Sequence, residues 1–307
     1  MQSTVLAPFT ARDGENLALY EWPLDAWAHE MGQYAPPPRA IVLLVHGLGE
    51  HASRYDHVAH QLMEWGFAVR AYDQRGHGES GGARGALPNE TALLDDLAEV
   101  VDDTRLRGMR LLEAAYADRR HSESQLPLIL LGHSMGGLVV SRFVSLGIRP
   151  VEGLVMSSPA LDPGLGPLQK LLLAFMPKLV PDLCVGNGLD ARYISHDEEV
   201  VRKYFADRQV HNKISPRLGK FIATAGPATV AAAARWRTPT LLMYAGADKL
   251  VNPAGSRAFA DNAANSPAVT AGTVTARCFE GLYHEIFNEV ESEQVFDTLK
   301  SWLDARF

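Results

Sequence analysis

A serine set between glycines is the first candidate for chemistry in this sequence. Gly132-His133-Ser134-Met135-Gly136 fits the pattern G-x-S-x-G, and it stands between the apolar run 128–131 and the helix-like stretch Leu138 to Leu146. Strand, G-x-S-x-G and helix form a nucleophile elbow, in which the serine adopts a strained backbone on a tight turn. Glycines two residues before and after it let the neighbouring chains approach closely. We therefore expect an exposed Ser134 hydroxyl and a Met135 N–H aimed at the oxygen of a substrate.

A second backbone N–H is expected from the loop after the first central strand. An oxyanion that develops during acyl transfer needs such preorganised donors. The run Ile41 to Val45 ends in His46-Gly47-Leu48-Gly49, whose glycines allow the loop to fold over so that the amide of Leu48 points inward. Leu48 and Met135 are the predicted oxyanion pair. Taken alone, the loop is equally consistent with a glycine turn beside a packed histidine.

The base and the carboxylate that Ser134 requires lie in two later loops. A serine hydroxyl attacks an ester only when a histidine base takes its proton and an acid orients that histidine. In sheets that carry a nucleophile elbow, the order of these three residues along the chain is Ser, Asp, His. Asp248 follows the apolar run 240–244, and His284 follows the run 277–280. Both residues are thus delivered to the sheet edge that holds Ser134.

Other acids and histidines compete for these roles. Asp73 also follows a strand-like run, but it precedes the serine and is better explained as the residue that fixes its own turn, 73–78. Of the 11 histidines, only His284 follows the last strand-like run. The histidines that we expect to be structural, in turns, loops or helices, are His46, His51, His57, His60, His77 and His133.

Short apolar runs that alternate with helix-like stretches must position these residues. Runs rich in Val, Ile and Leu are typical of strands buried on both faces of a parallel sheet, so the predicted fold class is α/β. A weaker hairpin turns at Asp13-Gly14 near the start. A helix with a solvated acidic face is predicted over Thr91 to Ala117, weakened at Gly108. The predicted strands are Ala40 to His46, Phe67 to Asp73, Leu128 to Gly132, Val151 to Ser157, Thr240 to Ala245 and Thr273 to Glu280.

One segment interrupts this alternation. Between Pro163 and Arg235 we find no strand-like run, only helical patterns separated by prolines. We expect residues 1–162 and 236–307 to form the core and residues 163–235 to form a helical cap inserted between two core strands. Material inserted at the carboxyl edge of an open α/β sheet usually covers a binding site.

Composition excludes several classes of protein. The chain carries 29 Lys and Arg against 36 Asp and Glu, a net charge of −7 without a basic stripe, so nucleic acid is not an expected partner. No run approaches the ~18 apolar residues of a membrane span, and residues 1–16 lack the pattern of a signal peptide. We expect a cytoplasmic protein, at most peripheral at a membrane. Cys184 and Cys278 lack metal-ligand spacing, which predicts two reduced thiols.

Four motifs together resemble the monoacylglycerol lipase group of the α/β-hydrolase family, also described as lysophospholipase-like. The resemblance runs from about Arg39 to the last residue and includes the cap. It implies a mostly parallel central sheet flanked by helices, a catalytic Ser134, Asp248 and His284, and no metal or cofactor. The motifs are His46-Gly47-Leu48-Gly49-Glu50-His51 with Arg54-Tyr55, Asp73-Gln74-Arg75-Gly76-His77-Gly78-Glu79-Ser80, Gly132-His133-Ser134-Met135-Gly136-Gly137, and Gly246-Ala247-Asp248 with Tyr283-His284.

The resemblance implies that a small lipid ester, a monoacylglycerol, is hydrolysed to glycerol and a fatty acid. The spacing alone indicates a serine acyl hydrolase of unstated substrate, because a fold does not determine its substrate. A lysophospholipase or a broad carboxylesterase is the nearest alternative, and a small-molecule-binding module with a disabled triad is the alternative outside enzymes. Dehalogenases and epoxide hydrolases of this family would carry an aspartate at Ser134, and proline-releasing peptidases usually carry a tryptophan at Met135.

The first helical pattern of the cap is apolar nearly all round. Between positions 165 and 179 only Lys170 and Lys178 are charged. A helix of this kind is normally buried, but a cap offers burial on one side only. We expect a hydrophobic lip in which Leu172 and Phe175 contact the acyl chain, while the lysines face a lipid surface. The alternative is that the whole stretch packs inside the cap.

Overall fold

The runs rich in Val, Ile and Leu form the centre of a sheet. The computed structural model describes residues 4–5, 8–22, 38–115, 125–164 and 166–307, and the main sheet within these ranges has eight strands. The strands in chain order are β1 (Thr4–Val5), β2 (Phe9–Thr10), β3 (Asn16–Leu17), β4 (Leu19–Trp22), β5 (Ile41–Val45), β6 (Ala68–Tyr72), β7 (Leu128–His133), β8 (Gly153–Ser157), β9 (Val185–Gly186), β10 (Lys213–Ile214), β11 (Thr240–Ala245) and β12 (Val274–Phe279).

The main sheet is mostly parallel, in the order β1-β4-β6-β5-β7-β8-β11-β12. Strand β4 pairs antiparallel with β1 and with β6, and every pair from β6 to β12 is parallel. Every residue of β5, β6, β7, β8 and β11 is buried, as expected for strands covered on both faces. The predicted α/β class is confirmed. The predicted hairpin is also present, since β2 and β3 pair across Gly14, whose φ is +89°.

Helices cover both faces of this sheet. The predicted helix over Thr91 to Ala117 is described from Ala92 to Ala115, and residues 116–117 lie outside the described ranges. The helix continues through Gly108 without a break, and a Cβ there would lie 2.8 Å from Ile41 Cδ1, so this glycine lets the helix pack closely on β5. The helices are α1 (Asp56–Glu64), α2 (Ala92–Ala115), α3 (Met135–Ser145), α4 (Pro167–Leu179), α5 (Glu198–Ala206), α6 (Pro216–Ala232), α7 (Ala254–Ala264) and α8 (Glu293–Asp304).

The cap segment, residues 163–235, contains α4, α5 and α6, but it also contains two strands. Strands β9 and β10 pair antiparallel, with Gly186 opposite Lys213. The expectation that this segment holds no strand is therefore wrong. Strands of two residues are too short to show the alternation by which a strand is recognised. No helix in the described parts of the chain is long and apolar enough to cross a membrane.

The parallel strands deliver the predicted site residues to one edge. Leu48 lies shortly after β5, Ser134 directly after β7, Asp248 shortly after β11 and His284 shortly after β12. Because these four strands run in the same direction, their carboxyl ends meet at the same edge of the sheet. The fold thus brings together four loops that are far apart in the sequence.

Candidate active site

Ser134, His284 and Asp248 form one hydrogen-bonded chain. The Ser134 hydroxyl donates to Nε2 of His284 across 2.8 Å, and Nδ1 of His284 donates to Oδ2 of Asp248 across 2.6 Å. An ionised carboxylate only accepts hydrogen bonds, so Nδ1 carries the proton and Nε2 is free to act as a base. The arrangement has the geometry of a nucleophile, a general base and an orienting acid.

The turn at Ser134 has the strained backbone that the sequence predicts. Ser134 has φ +53° and ψ −119°, a left-handed conformation that is uncommon for a residue with a side chain. The flanking glycines are required by close contacts. A Cβ on Gly132 would lie 2.5 Å from the Gly136 carbonyl oxygen, and one on Gly136 would lie 2.0 Å from that of Val45. Because neither glycine has a side chain, α3 can pack closely against β5 and β7.

The amides of Leu48 and Met135 are available to bind an oxyanion. Met135 opens α3, so its N–H has no acceptor within the helix. Within the described ranges neither amide donates a hydrogen bond, and both residues line a cavity that includes Ser134. The Leu48 loop is held by Glu50, whose Oε1 accepts the N–H of Gly47 across 2.6 Å.

Asp248 is itself fixed by backbone donors. Its Oδ1 accepts the N–H groups of Leu250, at 2.8 Å, and Val251, at 3.0 Å, which leaves Oδ2 for His284. Burial opposes the charged carboxylate, but the charge and hydrogen bond of His284 outweigh it and lower the pKa of Asp248. Burial likewise opposes an imidazolium, yet the charge and hydrogen bond of Asp248 raise the pKa of His284 above its usual value.

A buried ion network beside the triad has no counterpart in the sequence-based predictions. Arg54 donates to both carboxylate oxygens of Glu285, at 2.7 and 2.8 Å, and to Oε2 of Glu50 at 2.5 Å. Burial has the largest effect on the pKa of Glu50 and raises it, but the charge of Arg54 and the smaller effects of other neighbours together outweigh burial and lower this pKa to about 2. The Arg54 guanidinium also lies 4.8 Å from the ring centroid of Tyr204 in the cap segment. Glu50 and Glu285 both add to the raised pKa of His284.

The competing residues Asp73 and His133 make no hydrogen bond to Ser134, His284 or Asp248 in the described part of the chain. Asp73 accepts a hydrogen bond from Glu79 N, just after its own turn, and from Tyr20 Oη and Ala52 N in two other segments, so it joins this turn to its neighbours. The His133 ring packs 4.7 Å from that of His284, and burial together with the charge of His284 lowers the pKa of His133 to about 4.

Two cavities meet at Ser134, and each has a wall formed by the cap segment. Both include Leu48, Ser134 and Leu250. The first, which we call the polar cavity because more polar side chains line it than line the second, has a volume of about 390 Å³. The second, the apolar cavity, has a volume of about 530 Å³. Polar residues of the polar cavity are Glu50, His133, Asn187, Asp190, Tyr204, Asp207, His211, Asn212, His284 and Glu285. Apolar residues of the apolar cavity include Met135, Leu173, Met176, Leu183, Val185, Leu189, Ile214, Ile222 and Val251.

Helix α4 contributes to the apolar cavity, but Phe175, one of its two predicted residues, does not line it. Leu173 and Met176 line this cavity, whereas Phe175 is 59% exposed and does not. The side chain of Leu172 lies outside the described part of the structure.

Comparison with protein families gives one match over most of the chain. The family described as "Serine aminopeptidase, S33" matches residues 36–291. A monoacylglycerol lipase of Mycolicibacterium smegmatis is 37% identical over 269 residues, which is 87% of this chain and 88% of the relative. A phospholipase of Bacillus subtilis is 30% identical over 274 residues, which is 88% of this chain and 97% of the relative.

Solved structures share the architecture. The crystal structure of the monoacylglycerol lipase of Paleococcus ferrophilus superimposes with a TM-score of 0.74 at 31% identity, covering 89% of this chain and 97% of that one. A soluble variant of the monoglyceride lipase of Saccharomyces cerevisiae, solved with a substrate analogue, gives a TM-score of 0.79 at 22% identity and covers 99% of this chain and 97% of that one. The second likeness concerns the fold alone.

Proposed function

The chain belongs to the hydrolase family described as serine aminopeptidase, S33, and we propose that it hydrolyses monoacylglycerols to glycerol and a fatty acid. The observation that carries the proposal is the position of Ser134, which lies where an apolar and a polar cavity meet and donates to His284. A monoacylglycerol has an ester bond between an apolar chain and a polar diol. Similarity to the lipases of Mycolicibacterium smegmatis and Paleococcus ferrophilus supports the same reaction.

The first half of the reaction forms an acyl-enzyme. Ser134 Oγ attacks the ester carbonyl carbon while Nε2 of His284 takes the hydroxyl proton. The carbonyl oxygen becomes an oxyanion that accepts hydrogen bonds from the N–H groups of Leu48 and Met135. Asp248 holds the imidazole tautomer and stabilises its positive charge. When the tetrahedral intermediate collapses, the bond to the glycerol oxygen breaks and His284 gives its proton to that oxygen.

The second half of the reaction releases the fatty acid. A water molecule takes the place of glycerol and attacks the acyl carbon, with His284 accepting its proton. A second oxyanion forms against the same two amides. Its collapse breaks the bond to Ser134 Oγ, which recovers the proton from His284, and the enzyme returns to its starting state.

The polar cavity favours a neutral leaving group over a phosphorylated one. No Lys or Arg is among its described lining residues, while Glu50, Asp190, Asp207 and Glu285 bring carboxylates to its wall. Arg54 and Arg192 are already bound to carboxylates of this wall, so a phosphodiester would be desolvated there without a free cation to pair with it, which is costly. A glycerol group needs only hydrogen bonds. The site therefore favours a monoacylglycerol over a lysophospholipid.

The carboxylates of the polar cavity are engaged and so do not offer a site for the ammonium group of a peptide. An aminopeptidase needs a free carboxylate or an equivalent acceptor at that place. Here Arg54 binds Glu50 and Glu285, Arg192 binds Asp190, and His51 binds Asp207.

A substrate panel tests the proposed function. We expect monooleoylglycerol to give a higher kcat/KM than dioleoylglycerol, lysophosphatidylcholine, p-nitrophenyl butyrate and aminoacyl 4-nitroanilides. The Ser134→Ala variant controls for contaminating esterases. A preference for lysophosphatidylcholine would assign the chain to phospholipases, and a preference for the anilides to peptidases. A chain that hydrolyses none of them, and that a fluorophosphonate fails to label, would be a binding module.

We further propose that the cap segment rests on a lipid surface. Leu183, Val185 and Leu189 are exposed and also line the apolar cavity, so this cavity opens onto an apolar patch of the cap. Phe175, 59% exposed, and Leu179, 75% exposed, extend the apolar surface of the cap along α4. An acyl chain entering from a membrane would then stay in apolar surroundings.

Paired variants test this contact. Phe175→Ser with Leu179→Ser should lower hydrolysis of monooleoylglycerol in vesicles and leave p-nitrophenyl butyrate hydrolysis unchanged. The matched control is Leu106→Ser with Leu146→Ser, two leucines on α2 and after α3 that are similarly exposed. Equal losses on both substrates, or equal effects of the two pairs, would contradict the lipid contact.

A further inference from the structure

Glu289 is a buried carboxylate at the end of the loop that carries His284. Its side chain is 1% exposed, and no Lys or Arg pairs with it in the described ranges. N–H donors from the start of this loop and from the cap segment surround it. Oε1 accepts the backbone N–H of Tyr283 at 2.6 Å and Nδ1–H of His196 at 2.8 Å, and Oε2 accepts the backbone N–H of His196 at 3.0 Å.

These donors belong to the two sides of the site. Tyr283 immediately precedes His284, and His196 lies in the cap segment. The same two segments meet again nearby, because Glu285 N–H donates to the carbonyl of Ile194 across 2.8 Å. The His196 ring stacks on the Tyr283 ring, with centroids 3.6 Å apart and planes 19° apart. The loop 283–289 and the cap residues 194–196 therefore form one joint.

Burying a carboxylate at this position costs free energy of desolvation. Removing its charge from water is unfavourable unless hydrogen bonds replace the lost hydration, and an apolar residue of similar volume often serves stability as well. A carboxylate provides something that an apolar residue lacks, because it accepts several N–H groups in a fixed geometry. At Glu289 the result is a defined backbone position for Tyr283.

We propose that Glu289 is a positioning residue for His284. By holding the N–H of Tyr283, it fixes the backbone from which His284 reaches both Ser134 and Asp248, and it attaches that backbone to the cap segment. The inference rests on the proposed function in that it requires the triad to be catalytic. Glu289 then fixes the position of His284 relative to Ile194, which lines the polar cavity.

The Glu289→Gln variant tests this role with little change in size. A carboxamide offers one oxygen to donors that now use two, so at least one N–H faces an NH2 group. A displacement of the base by about 1 Å costs on the order of a hundredfold, so we expect kcat for p-nitrophenyl butyrate to fall tenfold to a hundredfold with little change in KM. The rate of fluorophosphonate labelling of Ser134 should fall equally. The low-field proton resonance of the Nδ1–H bond from His284 to Asp248 should broaden by exchange with solvent.

The matched control is Glu291→Gln, an exposed glutamate two residues further on. It should leave all three measurements unchanged. A folded Glu289→Gln protein with wild-type labelling, kcat and proton resonance would overturn the proposal. If Ser134→Ala retained activity, the proposed function would be at fault instead.

A second variant covers the case in which Glu289→Gln does not fold. His196→Phe keeps a ring against Tyr283 but removes the Nδ1 donor, and His196 is partly exposed, so the core is not disturbed. Loss of one hydrogen bond of about 1 kcal/mol corresponds to about a fivefold slower labelling of Ser134. An unchanged labelling rate in folded His196→Phe would contradict the joint between the cap and the base.

Discussion

Adding one methyl group at Gly136 should widen the oxyanion site. A Cβ at this position would lie 2.0 Å from the carbonyl oxygen of Val45 and 2.4 Å from that of His46, whereas real Cβ atoms stay at least 3.0 Å from such neighbours. Both contacts are backbone atoms, so no side chain can rotate away. In Gly136→Ala, helix α3 must therefore move about 1 Å away from the end of β5.

The two proposed oxyanion donors lie on opposite sides of this contact. Met135 is the first residue of α3 and moves with the helix, while Leu48 is in the loop that follows β5. A separation of about 1 Å weakens at least one hydrogen bond to the transition state. A misplacement of this size costs on the order of a hundredfold in rate, or about 2.7 kcal/mol. Overpacking should in addition lower the free energy of unfolding by about 1–3 kcal/mol.

The measurement is kcat for p-nitrophenyl butyrate, calculated from the concentration of folded protein. That concentration is the total protein concentration multiplied by the folded fraction from circular dichroism. Gly186→Ala is the matched control, because a Cβ there has no neighbour within 4 Å and its φ is not positive. We expect the control to keep wild-type kcat and Gly136→Ala to lose about a hundredfold. A stable Gly136→Ala protein with undiminished kcat would refute the assignment of these two amides.

Three further outcomes concern the triad. Ser134→Ala should lower kcat on the order of a million-fold while leaving the melting temperature nearly unchanged, because the hydroxyl contributes little packing; a thermal melt and an ester assay check both. Asp248→Asn should lower kcat about ten-thousandfold by favouring the wrong tautomer of His284, and full activity would point to another carboxylate. The value of kcat/KM should rise with pH through a midpoint above the usual pKa of histidine, because the pKa of His284 is raised and only its neutral form accepts the serine proton.

The sequence predicted those parts of the molecule that have a local signature. Strand β11 is found at the predicted bounds, and the other five predicted strands differ by a residue or two at their ends. Apolar runs of five or six residues are long enough to recognise, and parallel strands must end at one edge. The proximity of Ser134, Asp248 and His284 followed from these two facts together with the chemical need for a base and an acid.

Contacts between distant segments could not be read from local patterns. Arg54 joins Glu50 to Glu285, which is 231 positions away from it in the chain, and Glu289 reaches His196 across 93 positions. Each of these residues alone is typical of a charged surface position. Strands β9 and β10 escaped prediction because two residues define no period. The apolar pattern of α4 was recognised, but it did not indicate which of its side chains, Leu173 or Phe175, turns toward the cavity.

Ser134 and His284 are 150 positions apart, so the ribosome delivers them at different times during synthesis. Synthesis produces the two proposed oxyanion amides and Ser134 first, then Asp248, and His284 only after β12, the last strand of the described chain. A nascent chain that ends before His284 holds a serine without a general base, and such a hydroxyl is a poor nucleophile. Termination before His284, or removal of β12 with the loop that follows it, leaves Ser134 without its proposed base, so the reactivity of Ser134 reports that β12 and the His284 loop are in place.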